Sequence, residues 1–395
     1  LMKEPVVIVS AVRTPIGKYG GSFKELSSAD LASIAIKEAV SRAGLSLQQV
    51  DETIMGEVRQ TTQSSNVARV AALRAGIPES SPAYTINRLC ASGLEAVASG
   101  VQQIAFDQAE VIVAGGTESM SQSPIYLRNS RFGGDQPVLI DSNKEAGQQP
   151  KEIYGDDLGM GITAENVAER YSISREDQDA FALESQRRAS RAIKEAVFED
   201  EIVPVEVRER KGSFIVDRDE HPRPQTTLDK LARLRPAFKE NGTVTAGNAC
   251  GRNDGAAALV LIRESKARSL GLTPMVRITD WAVSGVSPEV MGIGPIPAVK
   301  KLLEKTSTKI KDVGLVELNE AFASQSLAVI RELGLVQERV NIHGGAIALG
   351  HPVGASGARI LTTLLHALNR SDSQRGIATL CAGGGQGMAL MVEKI

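Results

Sequence analysis

The chain of 395 residues is poor in aromatics, at 4%, and in histidine, of which it has four. Its three cysteines, Cys90, Cys250 and Cys381, cannot all pair within one chain, and none sits in a Cys-x-x-Cys spacing. Neither a disulfide framework nor a zinc site is therefore expected, and no other metal ligands cluster in the sequence. A reducing compartment suits such a chain. No apolar run approaches the roughly 20 residues of a membrane span. The first ten residues pass into a strand-like Val6 to Val9 without the basic start and long apolar core of a signal peptide. A cytoplasmic protein is expected. Neither sign of charge prevails, with 45 Lys and Arg against 47 Asp and Glu, so the total gives no reason to bind nucleic acid or an anionic membrane. A local basic patch is compatible with that balance.

What the chain has in quantity is glycine, 37 residues, set in an ordinary globular background of 42% hydrophobic and 23% charged residues. Many tight turns and close backbone approaches are expected around a core of small and aliphatic side chains. The length allows roughly two to four domains. Short apolar runs alternate with helix-like segments, which favours an α/β fold with buried strands. Leu31, Ile34, Ala35 and Ala39 recur at helical spacing up to Gly44, a good residue to end a helix. A strand near Thr53 to Val58, a helix near Asn66 to Ala75, a helix of small residues after Cys90 and a buried strand at Val111 to Ala114 follow.

The chain also resembles itself. Cys90-Ala91-Ser92-Gly93 leads through a helix to Val113-Ala114-Gly115-Gly116, and Gly354-Ala355-Ser356-Gly357 leads through a helix to Cys381-Ala382-Gly383-Gly384. Val50 before one strand corresponds to Val313 before Leu315 to Leu318 at nearly the same offset, whereas Gly255 to Val260 matches Gly387 to Val392 at a much shorter one. Two copies of one α/β unit are expected, the first interrupted between about Glu118 and Thr245. Residues 121–160 have the Ser, Pro, Gly, Asn and Asp content of a long loop. Ser174 with Asp177 starts a strongly helical stretch to about Phe198, and a basic stretch of Arg218, Arg223, Lys230, Arg233, Arg235 and Lys239 follows.

Four segments carry possible chemistry. Asn87-Arg88-Leu89-Cys90-Ala91-Ser92-Gly93-Leu94 sets a cysteine at a helix start, where backbone N–H groups would favour a nucleophilic thiolate. Read locally, the same cysteine also suits a small core position. His351, within Gly350-His351-Pro352-Val353-Gly354, could activate a thiol or donate to an oxyanion, or simply cap a carbonyl. Cys381-Ala382-Gly383-Gly384-Gly385 sets a second cysteine beside free N–H groups, or is only a turn. Asn319-Glu320-Ala321-Phe322 falls where an apolar strand ends, a common binding position in α/β sheets. None of the Gly-rich segments is a dinucleotide fingerprint.

Taken together, in this order, these segments closely resemble the thiolase family of acyl-CoA C-acetyltransferases over nearly the whole chain. The resemblance implies an α/β thiolase fold, with duplicated βαβαβαββ units in five layers and an inserted loop domain. It divides the chain into 1–120 plus 246–272, an inserted 121–245, and 273–395. It implies that Cys90 accepts the acyl group, that His351 activates it and that Cys381 is the acid and base. Asn319 would hold a water that forms one oxyanion hole with His351, and the N–H groups of Cys90 and Gly383 would form the other. Arg223, Leu234, Ala237, Phe238 and Ala246 would line the coenzyme A site, with Cys250, Met160, Ala321 and Phe322 near the pantetheine and Met291 in the acyl pocket. The sequence departs from the family pattern at Gly159, where His is common, at Cys250, where Ser is common, at Lys230, which replaces a small polar residue, and at His343, where Asn is frequent.

The implied activity is condensation of two acetyl-CoA to acetoacetyl-CoA and CoA, with the reverse thiolysis. A broader-chain 3-ketoacyl-CoA thiolase of fatty-acid degradation is the alternative; a ketoacyl-synthase-type condensing enzyme and a non-catalytic acyl-lipid carrier are more distant ones. Coenzyme A and acyl-CoA are expected as substrates, with no permanently bound cofactor. The expected assembly is a homotetramer, as a dimer of dimers, or a homodimer, with loop 121–145 in the tetramer contact.

Overall fold

The computed structural model describes residues 4–133, 136–145 and 147–395. Leu1 to Lys3, at the start of the first expected segment, and Gly134, Asp135 and Ala146 of the expected loop lie outside the described residues.

Local chemistry sets the element ends. The first helix, Ser28–Arg42, begins where the Ser27 hydroxyl accepts the Asp30 N–H and the Asp30 carboxylate accepts the Ser27 N–H. It stops before Gly44, whose φ of 74° suits glycine. Asn66 caps the helix Val67–Ala75, and Ser174 caps Arg175–Lys194 by accepting the Asp177 N–H. The strand expected up to Val58 ends sooner, spanning Glu52–Gly56. The reason is Glu118, whose carboxylate takes the N–H groups of Val58 and Arg59 and so removes both from strand pairing.

The main sheet runs, edge to edge, through Leu315–Leu318, Arg375–Ala382, Gln386–Glu393, Val276–Gly285, Val6–Arg13, Asn253–Arg263, Val111–Ser119, Glu52–Gly56 and Ala83–Ile86. A short strand, Gly17–Lys18, pairs off this path with Asn253–Arg263. The order mirrors itself about its middle. Moving outward from the central pair, each side holds the first strand of its unit, then the last, the one before it and the second. The third strand forms the edge in the first unit, and in the second it shrinks to one bridge between Val316 and Val340. The two sides pair through Val7 with Arg277 and Ile8 with Val276.

Helices Ser92–Ala105 and Ser356–Asn369 pack on each other between the two half-sheets. They meet through glycine: a Cβ on Gly93 would lie 2.6 Å from the Ala358 nitrogen, and one on Gly357 would lie 2.4 Å from the Leu94 nitrogen. Ser28–Arg42 and Val67–Ala75 cover one outer face, while Pro295–Lys305 and Ala323–Leu333 cover the other. Helix, half-sheet, helix pair, half-sheet and helix make five layers around three apolar cores. The abundance of glycine and small aliphatics and the scarcity of aromatics both follow from this close central layer.

Among the described residues, those between Ser119 and Asn253 add no strand to the main sheet and hold two separate hairpins, Ile125–Arg128 with Val138–Asp141 and Val205–Glu209 with Gly212–Val216. The loop expected over 121–160 therefore has structure of its own, and its hairpin exposes Ile125, Leu127 and Leu139 by more than half. Among the described residues no helix is long and apolar enough to cross a membrane.

Candidate active site

Cys90 occupies a strained turn. Leu89 has a φ of 48°, an uncommon left-handed value for a residue with a side chain, and three bonds hold it there. Asn87 Oδ1 accepts the Leu89 N–H at 2.9 Å, Ser92 Oγ accepts the Arg88 N–H at 2.8 Å, and the Ser92 hydroxyl donates to the Leu89 carbonyl at 2.6 Å. The helix starts only at Ser92, two residues after the thiol. Burial pushes the Cys90 thiol up to about 11, opposed by hydrogen bonding from the Gly383 N–H and by the Arg59 charge. The expectation of a resting thiolate at a helix start is thus corrected: desolvation outweighs the dipole, and the sulfur needs a base to ionise.

The Gly383 N–H reaches Cys90 from the other unit. After Cys381 and Ala382 the chain turns through Gly384 and Gly385, with φ of 76° and 86°, and returns as the next strand. A Cβ on Gly383 would lie 2.5 Å from the Gln148 side-chain amide, so a side chain there would displace the end of Gln148. Cys381 is buried among Met291, Ala321, Phe322 and Ala249, with Met160 against the same cluster. Burial, then the charges that Cys90 and Cys250 would carry, push its thiol far up. Cys250, whose N–H donates to the Ala321 carbonyl at 3.0 Å, is pushed up to about 12 by burial and then by Cys90. All three thiols therefore lie within electrostatic reach of one another.

His351 stands at the start of the Pro352 to Gly354 turn. Its Nδ1 is 2.5 Å from Ser356 Oγ, and the Ser356 hydroxyl donates to the Pro352 carbonyl at 3.0 Å. Ser356 thus engages Nδ1, and Nε2 is the ring nitrogen on the far side from it. The Asn319 carboxamide lies 3.5 Å from the same Nδ1. Burial, then Arg359, lowers the His351 pKa to about 4, leaving a neutral ring at pH 7. The first unit braces this turn: Glu118 accepts the Gly354 N–H at 2.9 Å. Glu320, next to Asn319, accepts from the Ser185 hydroxyl at 2.6 Å and the Asn341 amide at 2.9 Å. Such a site offers a half-buried thiol, a neutral imidazole and a backbone N–H at the sulfur, parts that suit an acyl transfer.

A cavity of about 270 Å³ opens on the inserted segment and is lined by Arg223, Lys230, Leu234 and Ala246 among others. The Ala237 N–H donates to the Val244 carbonyl, and Phe238 meets Phe322 edge-on with ring centres 6.3 Å apart. Phe238 thereby links this region to the cluster around Cys381. The structure gathers Met160, Met291, Ala321, Phe322 and Cys381 into one cluster and Arg223, Lys230, Leu234 and Ala246 into one cavity wall. Gly159 serves as the N-cap residue of the helix Met160–Arg170. His343 stands elsewhere, edge-on to Phe198 at 6.1 Å.

Sequence reasoning missed four residues that shape the site. Asn253 accepts the His351 backbone N–H through Oδ1 at 2.9 Å, Ser356 Oγ engages His351 Nδ1, Gln148 covers the Gly383 turn, and Gln186 accepts the Arg223 N–H at 2.8 Å. Of these only Ser356 left a signal, as a hydroxyl one helical turn beyond His351.

Comparison with known proteins agrees with this geometry. The family pattern described as thiolase, N-terminal domain, matches residues 6–265, and that described as thiolase, C-terminal domain, matches residues 272–394. A probable acetyl-CoA acyltransferase of Staphylococcus epidermidis is 51% identical, covering 98% of each chain. The crystal structure of the Bacillus anthracis acetyl-CoA acetyltransferase superposes with a TM-score of 0.96 at 47% identity, covering 99% of both chains. That of human mitochondrial 3-ketoacyl-CoA thiolase superposes with a TM-score of 0.96 at 44% identity, covering 100% of both.

Proposed function

The chain belongs to the thiolase family of acyltransferase enzymes, and from that premise we propose that it joins two acetyl-CoA into acetoacetyl-CoA and CoA, and catalyses the reverse thiolysis, through an acetyl group on Cys90. The observation that carries this reading is the Gly383 N–H aimed at the Cys90 sulfur, with Cys381 two residues before that glycine.

In this mechanism His351 Nε2 takes the Cys90 proton and the thiolate attacks the thioester carbonyl. The N–H groups of Cys90 and Gly383 stabilise the resulting oxyanion. As the tetrahedral adduct collapses, the C–S bond to coenzyme A breaks; coenzyme A departs as its thiolate, a leaving group that needs no acid, and then takes the Cys381 proton. Cys381, now ionised, removes a C2 proton from the second acetyl-CoA, whose enolate oxygen is held by the protonated His351 Nε2 and a water on Asn319. The carbanion attacks acetyl-Cys90, and the expelled Cys90 thiolate recovers its proton from His351. Every proton is accounted for by two thiols and one imidazole.

Coenzyme A is assigned to the Arg223, Lys230, Leu234, Ala237, Phe238 and Ala246 region, where exposed cations suit its phosphates. The pantetheine is assigned to the wall formed by Met160, Cys250, Ala321 and Phe322, and the acyl group to Met291. No permanently bound cofactor is needed. We divide the chain as 1–120 with 246–272, an inserted 121–245 that holds coenzyme A, and 273–395. Free thiols at Cys90 and Cys381 suit a reducing cytoplasm and a role in fatty-acid metabolism. The exposed apolar hairpin at Ile125–Arg128 and Val138–Asp141 supports a homotetramer. A broader-chain 3-ketoacyl-CoA thiolase is the second reading, favoured by the likeness to the human protein of that name. Thiolysis of 3-oxoacyl-CoA of increasing chain length tests the two: activity confined to acetoacetyl-CoA supports the first, and equal activity on longer chains replaces it with the second.

A further inference from the structure

A short polar chain joins the cavity to the catalytic histidine. His221 forms part of the cavity wall beside Arg223 and Lys230. Its Nδ1 lies 3.2 Å from Asn253 Nδ2, and that same amide nitrogen donates to the Gly17 carbonyl at 3.0 Å. Asn253 Oδ1 then accepts the His351 N–H at 2.9 Å. An amide nitrogen only donates, so Nδ1 of His221 carries its lone pair and Nε2 its hydrogen. The ring's remaining hydrogen bond is to the backbone of Ile347, in the helix that ends just before Gly350. Burial, then the Arg223 and Lys18 charges, holds His221 at about 4, in the neutral form this arrangement requires.

The parts have little room to rearrange. A Cβ on Gly350, whose φ is 104°, would lie 2.5 Å from the Asn253 carboxamide carbon, and one on Gly251 would lie 2.3 Å from His221 Cε1. With both amide hydrogens engaged, by Gly17 and by His221, the oxygen of Asn253 is the atom turned toward His351. Removing the His221 acceptor leaves one amide hydrogen unpaired in a buried place and weakens the preference for that orientation.

We propose that His221 is a positioning residue for acyl transfer: one edge faces the coenzyme A cavity, and the other, through Asn253, fixes the His351 peptide. This rests on the roles assigned above to the cavity and to His351. It makes the placement of the base depend on a residue of the ligand wall. Cavity and base are therefore coupled without any direct contact between coenzyme A and His351.

The test compares His221→Leu, which has no acceptor, with His221→Asn, whose Oδ1 stands where Nδ1 did. Acetoacetyl-CoA thiolysis gives kcat and the KM for CoA, and iodoacetamide alkylation of Cys90 without substrate, followed by peptide mass mapping, reports the base alone. His221→Leu should lower kcat about tenfold to a hundredfold and slow alkylation in parallel. The KM for CoA should change by less than about threefold, and His221→Asn should restore both rates to within a similar factor. A raised KM with unchanged kcat and alkylation would overturn the proposal, as would equal losses in the two variants. Were acetoacetyl-CoA the wrong substrate, the wild-type enzyme would fail thiolysis while the alkylation comparison still decided the matter. If His221→Leu does not fold, His221→Gln, which reaches the Nε2 position but not Nδ1, carries the same expectation.

Discussion

The two halves of the sheet are built alike and used differently. In the first unit the strand Glu52–Gly56 leads to Glu57, and in the second the corresponding strand Leu315–Leu318 leads to Asn319 and Glu320. The strand Val111–Ser119 carries Glu118 near its end, where its counterpart Arg375–Ala382 leads to Gly383. Before the paired central helices stand Cys90 in one unit and Gly354 in the other. The first unit thus supplies Cys90 and two buried carboxyl groups, and the second supplies His351, Cys381 and the open turn. Symmetry places both sets of loops at one point. Divergence lets Glu118 of one unit bind the Gly354 N–H of the other, so the half with less chemistry holds the half with more.

The largest effect that would break this comparison is at the thiols. Cys90→Ala should lower turnover by roughly 10⁴-fold or more in both half-reactions, while Cys381→Ala should slow condensation about 10²–10⁴-fold. Equal losses in acetylation and condensation for Cys381→Ala, measured by single-turnover kinetics, would remove the division of labour. Gly383→Ala comes next: its Cβ pushes the end of the Gln148 side chain off the turn that carries the Cys90-facing N–H, and kcat should fall about tenfold with little change in KM. Glu118→Ala tests the brace. It leaves the N–H groups of Val58, Arg59 and Gly354 without their acceptor and should cost about 2–4 kcal/mol in urea unfolding. An unchanged midpoint would show that the second unit holds its own turn.

The smallest effect concerns pH. Burial, with Glu118 next, raises Glu57 to about 8 from 4.5. The folded protein then binds a proton that the unfolded chain releases above about 4.5, so this contribution to stability is lost as pH rises toward 8. Glu57→Gln is neutral throughout, and its melting temperature relative to wild type should rise between pH 5 and pH 9. A difference that stays flat with pH would show that Glu57 is not held protonated. His351 acts in the opposite sense: its pKa is lowered to about 4 from 6.5, so the stability it contributes falls as pH drops through that window.

Much of this architecture was legible because it repeats and because its ends are chemically marked. Ser174 with Asp177 and the glycine at 44 locate helix ends by backbone chemistry that needs no tertiary context. The correspondence between the Cys90 and Gly354 segments already pointed to two copies of one α/β unit; that their loops meet is seen in the structure. The fate of the Cys90 thiol was not legible, since its proton affinity is set by burial between units that no local window contains. Asn253 was missed for a related reason. It is one asparagine, next to Asp254, at the head of a mainly apolar strand, and its meaning comes from Gly17, His221 and His351, all distant in the chain. The hairpin within 121–160 was hidden by turn-forming residues whose composition resembles that of a plain loop.

The most direct test of the account is where the acetyl group goes. Cys381→Ala protein mixed with labelled acetyl-CoA, quenched in acid and mapped by peptide mass spectrometry, should carry one acetyl group, on Cys90, formed within a turnover and retained for want of the second acid and base. Label on Cys250, or no label while Cys90→Ala still carries it, would contradict the assignment of nucleophile and acid to the two halves.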